Sequence, residues 1–392
     1  MRSPYGWPGE RLYAGTKYID KIETIADDIL KTLFKAEFAD ARPISGAVAN
    51  LAAFTAFSDP GDTMMALSIP RGGHITIGPK RLGGTAGAVH GLEVEYYPFI
   101  EEEYRVDIDK TIQKIRNLSK EGKTPKLAVF GGSVFIRKAQ APVKELHDVL
   151  RELDCYIMYD GAHVAGLIAG GKFQDPLREG ADIITASSHK TFFGPQRGFI
   201  ISREEHAERI KKAVFPGLVS NHHLHSLAGL AIAASEMLQF GSQYAEQVIK
   251  NAKSLGSALH DLGFDVIGEA WGFTESHQVV IDVTKQGDGF EVEKKLERAS
   301  IVTNRNLLPW DLRNGRHADR PGGLRIGTSE ITRMGMKESE MRNIAEFMTR
   351  VILKGEEPSK VEEDVAEFRK GFNSIKYTFD PNDSFTTKPF GM

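Results

Sequence analysis

The sequence has a single cysteine in 392 residues, Cys155. One thiol excludes an intramolecular disulfide framework and a cysteine-rich metal site, and it fits a reducing cytoplasm, where we expect the protein to work. No apolar run reaches the roughly 18 residues that a membrane-spanning helix needs, so we expect no membrane partner. The N-terminal residues also lack the basic and then apolar pattern of a signal peptide.

An excess of positive charge is missing as well. The 50 Lys and Arg residues face 53 Asp and Glu residues, for a net charge of -3, which argues against nucleic acid as a main partner. The sequence contains no GxxxxGK[ST] phosphate loop, and its glycine-rich GGTAGAVHG lacks the spacing of a dinucleotide site. The histidines of NHHLH have no acidic or cysteine ligand set nearby in the sequence, so we expect no metal.

What the sequence does contain is an alternation of short apolar runs and helix-like segments, from about residue 38 to 202. The runs are TMMALSI, LEVEYYPF, KLAVFGG, CYIMYD, ADIITAS and GFIIS. Runs of this length, separated by helical periods, are typical of buried parallel strands with crossover helices. The sequence therefore predicts an α/β protein with a largely parallel sheet.

Beyond about Phe215 the pattern changes to that of a smaller α+β unit. A helical segment runs from near Leu224 to Leu262, with a predicted break at Gln239–Gly241, and short strands and helices follow it. We therefore divide the chain into an N-terminal arm over 1–15, a large domain over 16–235, a small domain over 236–355 and a C-terminal helix and tail over 356–392.

Two of the predicted strands end in reactive side chains. One ends at Asp160, with His163 three residues later, and another ends in SSHK, which places Lys190 in a loop. A carboxylate at a buried strand end is costly unless a cation meets it, although a helix-capping aspartate is the common alternative. A desolvated lysine has a lowered pKa and a nucleophilic amine, whereas most lysines are solvated. About 30 residues separate Asp160 from Lys190, roughly one β-α-β unit, so both are expected at one sheet edge.

An aspartate and a lysine arranged in this way suit pyridoxal 5'-phosphate. The lysine would form the Schiff base, and the aspartate would keep the ring nitrogen protonated so that the ring accepts electrons. The phosphate needs its own site, and Ser45 and Gly46 open a small-residue helix whose N-terminal N–H groups suit an anion. An ordinary serine cap is the alternative interpretation.

Three further residues are candidates for the same site. His74 follows a double glycine, and an imidazole there can lie flat against a pyridine ring. Ser133 stands at the end of another predicted strand. Arg325 lies inside a short predicted strand, where its planar fork suits a substrate carboxylate, although a surface salt bridge is the commoner role of such an arginine.

Taken together and in order, the motifs of this chain resemble those of the serine hydroxymethyltransferase family. That family has the aspartate-aminotransferase-like fold, which is fold-type I of the pyridoxal-phosphate enzymes. The resemblance runs from about Tyr5 to about Ile352 and rests on the segments GWPGERLYAG, KYIDKIE, PISGAVAN, DPGDT, RGGHIT, DGAHVAGLIA, SSHKTFFGP, AVFPG, NAKSL and LRIGTSEITRMG.

The resemblance implies a role for each candidate residue. Lys190 is similar to the Schiff-base lysine and Asp160 to the partner of the ring nitrogen. Arg325 matches the residue that binds the amino-acid carboxylate, and Tyr13 matches a substrate-side tyrosine that acts across a dimer interface, which implies a homodimer. The remaining matches imply catalytic or cofactor contacts for His74, His163, Ser45, Gly46, Ser133, Ser187 and His189.

Several positions depart from the pattern of the family. Tyr5, Leu12, Ala47 and Gln196 stand where the family has an acid, a tyrosine, a serine and an arginine, and Arg197 follows one position later. These changes cluster on the folate and phosphate side. We therefore expect cleavage and formation of the Cα–Cβ bond of a β-hydroxy amino acid, with serine and glycine as the leading pair and the use of tetrahydrofolate left open.

Three alternatives remain from the sequence. One is a folate-independent aldolase or transaldolase for threonine-like or α-methylserine-like substrates, and another is a different reaction of the same fold, such as transamination. The third is a non-catalytic relative that serves as a binding protein, which would have little need of both Lys190 and Asp160.

Overall fold

The structure, a computed structural model, describes residues 6–11 and 14–380. In these residues the α-helices are α1 Lys17–Phe34, α2 Gly46–Phe57, α3 Ile108–Lys120, α4 Val143–Arg151, α5 Ala165–Ala169, α6 Pro176–Glu179, α7 Ala207–Lys212, α8 Leu224–Asp261, α9 Gly289–Glu297, α10 Ser329–Arg333, α11 Glu338–Ile352 and α12 Pro358–Arg369. The strands are β1 Phe38–Asp40, β2 Thr63–Ala66, β3 Glu93–Tyr96, β4 Phe99–Ile100, β5 Arg105–Val106, β6 Pro125–Gly131, β7 Tyr156–Asp160, β8 Ile183–Ser187, β9 Gly198–Ser202, β10 Asp265–Val266, β11 Gln278–Asp282, β12 Asn304–Asn306 and β13 Gly323–Gly327.

The larger sheet has seven strands in the order β1-β9-β8-β7-β6-β2-β3. The five strands from β8 to β3 are parallel, whereas β9 and β1 run antiparallel to their neighbours. Buried apolar side chains form separate clusters on its two faces, as expected of strands that helices cover on both sides. The predicted α/β class with a largely parallel sheet is confirmed.

The second sheet has four antiparallel strands in the order β10-β11-β13-β12. Its apolar core includes residues of α8, α9, α11 and α12. These four strands lie within the segment predicted as the small domain, and the division of the chain at residues 15, 235 and 355 stays a prediction. Among residues 6–11 and 14–380, none of the helices combines the length and apolarity that crossing a bilayer requires.

Helix α8 connects the two parts and runs for 38 residues without interruption. The predicted break at Gln239–Gly241 is wrong. Gly241 lies in regular helix, and a Cβ atom on Gly170 would collide with the Gly241 carbonyl oxygen. The close approach of the end of α5 to α8 therefore requires glycine at position 170, and Gly241 does not interrupt the helix.

Candidate active site

The carboxyl ends of β6, β7 and β8 meet at one edge of the larger sheet. Gly131 pairs with Asp160, and Asp160 pairs with Thr185, so the three residues lie at one level. Asp160 is the last residue of β7 and only 2% exposed. Lys190 follows the end of β8 by three residues. Both residues thus belong to one sheet edge, where ligands bind in open α/β folds.

Asn50 of α2 holds the Asp160 carboxylate in place. Its amide nitrogen donates to Asp160 Oδ2 at 2.9 Å and to Thr76 Oγ1 at 2.8 Å, and its oxygen accepts from Thr185 Oγ1 at 2.6 Å. The other carboxylate oxygen, Oδ1, accepts from the Ala162 N–H at 3.1 Å. Each carboxylate oxygen therefore has a neutral donor, which lets the group stay buried without a salt bridge.

The side chain of Lys190 lines a cavity of about 470 Å³ together with His163, His189, Gln278 and Arg325. Burial lowers the pKa of Lys190 below the ordinary lysine value; the charge of Asp160 opposes this shift, and that of Arg325 adds to it. Asp160 is not among the described residues that line the cavity, yet its charge acts on the Lys190 amine. The two groups are therefore part of one electrostatic cluster.

His74 belongs to the same electrostatic cluster. The Thr76 backbone N–H donates to His74 Nδ1 at 3.2 Å, which ties the imidazole to the Thr76 that Asn50 also contacts. Burial lowers the pKa of His74, Asp160 opposes this effect, and Lys190 and Arg325 reinforce it. At neutral pH the imidazole is therefore mostly uncharged.

Arg325 of β13 reaches the cavity from the second sheet. Its Nη1 donates to the carbonyl oxygen of Ser133 at 2.8 Å, and its Nε donates to Asn304 Oδ1 at 3.0 Å. Burial lowers the pKa of the guanidinium, and Tyr104 opposes that effect. Arg325 thus places a positive charge in the same cavity as the Lys190 amine, as a carboxylate-binding residue must.

The half-buried His163 and the buried His277 form a pair at the cavity wall. Their rings stack with centroids 5.9 Å apart. Burial lowers the pKa of His163 well below its usual value and that of His277 to about 3, and the charges of Lys190 and Arg325 add to both shifts. Both imidazoles are neutral at physiological pH.

The helix N-terminus predicted for the phosphate lies against the end of β8. Ser45 caps α2, because its hydroxyl oxygen accepts from the Val48 N–H at 3.2 Å. A Cβ atom on Gly46 would collide with the hydroxyl of Ser187, so glycine is what lets this helix start reach the strand end. The serine cap that the sequence offered as an alternative is therefore present, and it leaves the hydroxyl proton free to donate to an anion.

Two further predicted residues, His189 and Ser133, differ in how they relate to the cavity. His189 is exposed at the cavity, and its pKa is lowered by partial burial and by the charge of Lys190. Ser133 acts through its backbone: its N–H donates to the Gly72 carbonyl at 2.7 Å, and its own carbonyl accepts from Arg325. Among the described residues, Ser45, Gly46, Ser133, Ser187 and His74 do not line the Lys190 cavity.

Some sequence predictions fall outside the described residues, namely those on Tyr5, Leu12 and Tyr13.

Arg197, next to the unusual Gln196, is described and fully buried. Its guanidinium donates to the Ala41 carbonyl at 2.7 Å and to Ser226 Oγ at 2.9 Å. It joins the residue that follows β1 to α8 and is not among the described residues of the Lys190 cavity.

Sequence reasoning missed several residues of the site, among them His277, Asn50 and Gln278. Asn50 is the one strongly polar side chain inside the helix GAVANLAAFTAF, and Gln278 is a polar residue at the start of the apolar strand QVVID. A lone polar residue in an apolar element is a usable signal, because a buried amide must find partners.

We expect Asn50→Leu to lower the free energy of unfolding by about 1–3 kcal/mol. The leucine leaves one Asp160 oxygen without a donor and the Thr185 hydroxyl without its acceptor. Urea titration followed by circular dichroism measures the change. The control is Asn117→Leu, an exposed helix position where a shift within about 0.5 kcal/mol is expected. Equal stability of the two variants would contradict the anchoring role of Asn50.

The larger sheet is mostly parallel, and its edge combines a strand-end aspartate with a desolvated lysine that shares a cavity with an arginine. This arrangement defines a fold-type I pyridoxal-phosphate enzyme. The fold agrees with this class: the chain is similar to the solved L-threonine transaldolase from Pseudomonas fluorescens, with a TM-score of 0.84 and 31% identity, over 96% of this chain and 83% of that one.

Within this class, the family model described as serine hydroxymethyltransferase matches residues 2–348. The serine hydroxymethyltransferase of Nitrosopumilus maritimus is 56% identical over 375 residues, which cover 96% of this chain and 85% of that protein. The one of Methanocaldococcus jannaschii is 52% identical over 384 residues, 97% of this chain and 86% of that protein. The chain belongs to the serine hydroxymethyltransferase family.

Proposed function

We propose that this protein interconverts serine and glycine by breaking and forming the Cα–Cβ bond, with pyridoxal 5'-phosphate as cofactor. The observation that carries the proposal is the placement of Lys190 and Arg325 in one cavity, with the anchored Asp160 acting on the same amine. A substrate amine and carboxylate need two such groups at once. Membership of the serine hydroxymethyltransferase family supports the choice of serine and glycine.

The donor set fits the cofactor. Lys190 has a lowered pKa that favours its nucleophilic neutral amine. Asp160 would hold the ring nitrogen, His74 would lie beside the ring, and Ser45 with Gly46 would hold the phosphate at the start of α2. When bound, the cofactor supplies an electron sink for the negative charge that develops at Cα.

The residues of this chain do the rest. Asp160, fixed by Asn50 and the Ala162 N–H, would keep a proton on the pyridine nitrogen of the bound cofactor through its negative charge. Arg325 binds the substrate carboxylate and thereby orients the bonds at Cα. His163 stays neutral near Lys190, so it adds a hydrogen-bonding group without adding charge.

A second candidate is a folate-independent transaldolase, which the similarity to the L-threonine transaldolase favours. The test is a substrate panel of serine, threonine, allo-threonine and α-methylserine, each with and without tetrahydrofolate. We expect serine cleavage that requires tetrahydrofolate. Rapid threonine cleavage with transfer to an added aldehyde, unchanged by tetrahydrofolate, would instead establish the transaldolase.

We also propose a homodimer whose active site lies at the interface, on the basis of the match of Tyr13 to a substrate-side tyrosine of the family. Light scattering gives the mass of the assembly, and Tyr13→Phe should raise the KM for serine if the tyrosine reaches the site.

A cytoplasmic location is proposed as well. The lone Cys155 supports it, since the sequence has no second cysteine with which to form an intramolecular disulfide.

We expect Arg325→Lys to raise the KM for serine by about tenfold to a hundredfold, because an ammonium cannot form the bidentate pair with a carboxylate. Steady-state kinetics against serine measures this. Arg320→Lys is the control, since Arg320 pairs with Asp288 and Glu291 at the surface and is not among the described residues of the cavity. An unchanged KM in Arg325→Lys would remove Arg325 from the proposed role.

A further inference from the structure

Gln278 lies at the start of β11 and is only 2% exposed. Its side-chain oxygen accepts from the Phe135 N–H at 2.7 Å, and its side-chain nitrogen donates to the Ser133 carbonyl at 2.8 Å. A backbone N–H can only donate and a backbone carbonyl can only accept. The two contacts therefore fix which end of the amide is oxygen and which is nitrogen.

The same amide nitrogen lies 3.2 Å from His163 Nδ1. An amide nitrogen has two protons and donates only. One proton goes to Ser133, so the second points to His163, whose Nδ1 must accept it. An accepting Nδ1 carries no proton, and a neutral imidazole then carries its proton on Nε2.

The surroundings of His163 keep the imidazole neutral. Burial is the largest effect that lowers its pKa, and the charges of Lys190 and Arg325 and the rings of His277 and His74 act in the same direction. The Thr191 hydroxyl donates to the His163 backbone carbonyl at 2.9 Å and holds the main chain. The ring is thus held from both its backbone and its Nδ1.

We propose that Gln278 is a positioning residue that fixes His163 in one tautomer, with the proton on Nε2. His163 lines the cavity, and Gln278 already engages its Nδ1, so Nε2 is the ring nitrogen left for a ligand. His163 therefore offers a hydrogen-bond donor to an oxygen atom of the bound cofactor or substrate.

This assignment has a chemical consequence that rests on the proposed function. A nitrogen that already carries a proton cannot accept the one that leaves the β-hydroxyl group of serine. His163 is accordingly not the base of the Cα–Cβ cleavage, and its contribution is a fixed donor.

The test is long-range ¹H–¹⁵N correlation of the ¹⁵N-histidine-labelled holoenzyme, with the His163 signals assigned by their loss in His163→Gln. We expect the signals of a neutral ring that is protonated on Nε2. This pattern should stay the same from about pH 6 to about pH 8.5. A proton on Nδ1, or a ring that becomes charged in this range, would overturn the proposal. The NMR signal does not depend on turnover. A lack of serine activity would therefore contradict the proposed function but not the assigned tautomer of His163.

Two variants isolate the side chain. Gln278→Glu keeps an acceptor for Phe135 but replaces the donor at His163 by a carboxylate, so we expect the proton to move to Nδ1 and the pKa of His163 to rise. Gln140→Met is the matched control, because Gln140 is a buried amide that holds the same loop through Ile136, Arg137 and Val134 without contacting His163. An unaltered tautomer in Gln278→Glu, or an equal change in Gln140→Met, would show that Gln278 does not set it.

Discussion

Lys190→Ala is expected to lower serine turnover by at least roughly a thousandfold. The lysine is the amine that the cavity presents to a carbonyl compound, and burial makes it a better nucleophile by lowering its pKa. The wild-type holoenzyme should show a visible cofactor band and gain mass on treatment with borohydride. Both signals should disappear in the variant, whereas its circular dichroism spectrum stays the same.

The control for this loss is Lys172→Ala. Lys172 forms a partly exposed ion pair with Glu246 at 2.9 Å and is not among the described residues of the cavity. It should keep its turnover and its cofactor band. If borohydride still attached the cofactor to Lys190→Ala, another lysine would be the covalent partner and the proposed site would be wrong.

Asp160→Asn should reduce kcat by about a hundredfold to ten-thousandfold while part of the cofactor stays bound. The amide has no negative charge to keep the ring nitrogen protonated. It also has one oxygen where the carboxylate has two, so it cannot accept from both Asn50 and Ala162. Single-turnover kinetics, with both proteins saturated with cofactor, measures the loss of kcat. The absorption spectrum of the cofactor measures how much of it stays bound.

A buried aspartate at the other end of the sheet controls for loss of stability. Asp182 lies just before β8, where it accepts from Arg151 at 2.6 Å and from the Ile157 N–H at 2.7 Å. Asp182→Asn should lower the free energy of unfolding but leave the cofactor spectrum of the folded protein unchanged. Near-normal kcat in Asp160→Asn would contradict the assigned role of the carboxylate.

The sequence predicted much of this site because its reactive residues stand at the ends of apolar strands. Runs such as CYIMYD and ADIITAS are buried on both faces, so a charged residue at the end of one is visible in the sequence. The crossover rule then places Asp160 and Lys190 at the same edge. The resemblance to a family supplied the roles of the histidines and of Tyr13, which spacing alone does not give.

Other features depend on contacts that the sequence does not encode locally. Strand β12 is only Asn304–Asn306, a polar segment without alternation, and it exists because it pairs with β13. The bonds of Asn50 require Asp160 and Thr185 to be in register on neighbouring strands. Gln278 reaches His163 only because the second sheet packs against the loop after β6, through a small apolar cluster that includes Val134 and Val280.

The unbroken helix α8 is a rigid element about 57 Å long for its 38 residues. It packs on α1 and α5 beside the large sheet and on α11 and β11 beside the small one. Arg325 is in addition tied to the loop after β6 by its hydrogen bond to the Ser133 carbonyl, so Lys190 and Arg325 both belong to a rigidly connected framework. Loops at the rim of the cavity can then change in length and composition without changing the distance between the groups proposed to bind the two ends of an amino acid.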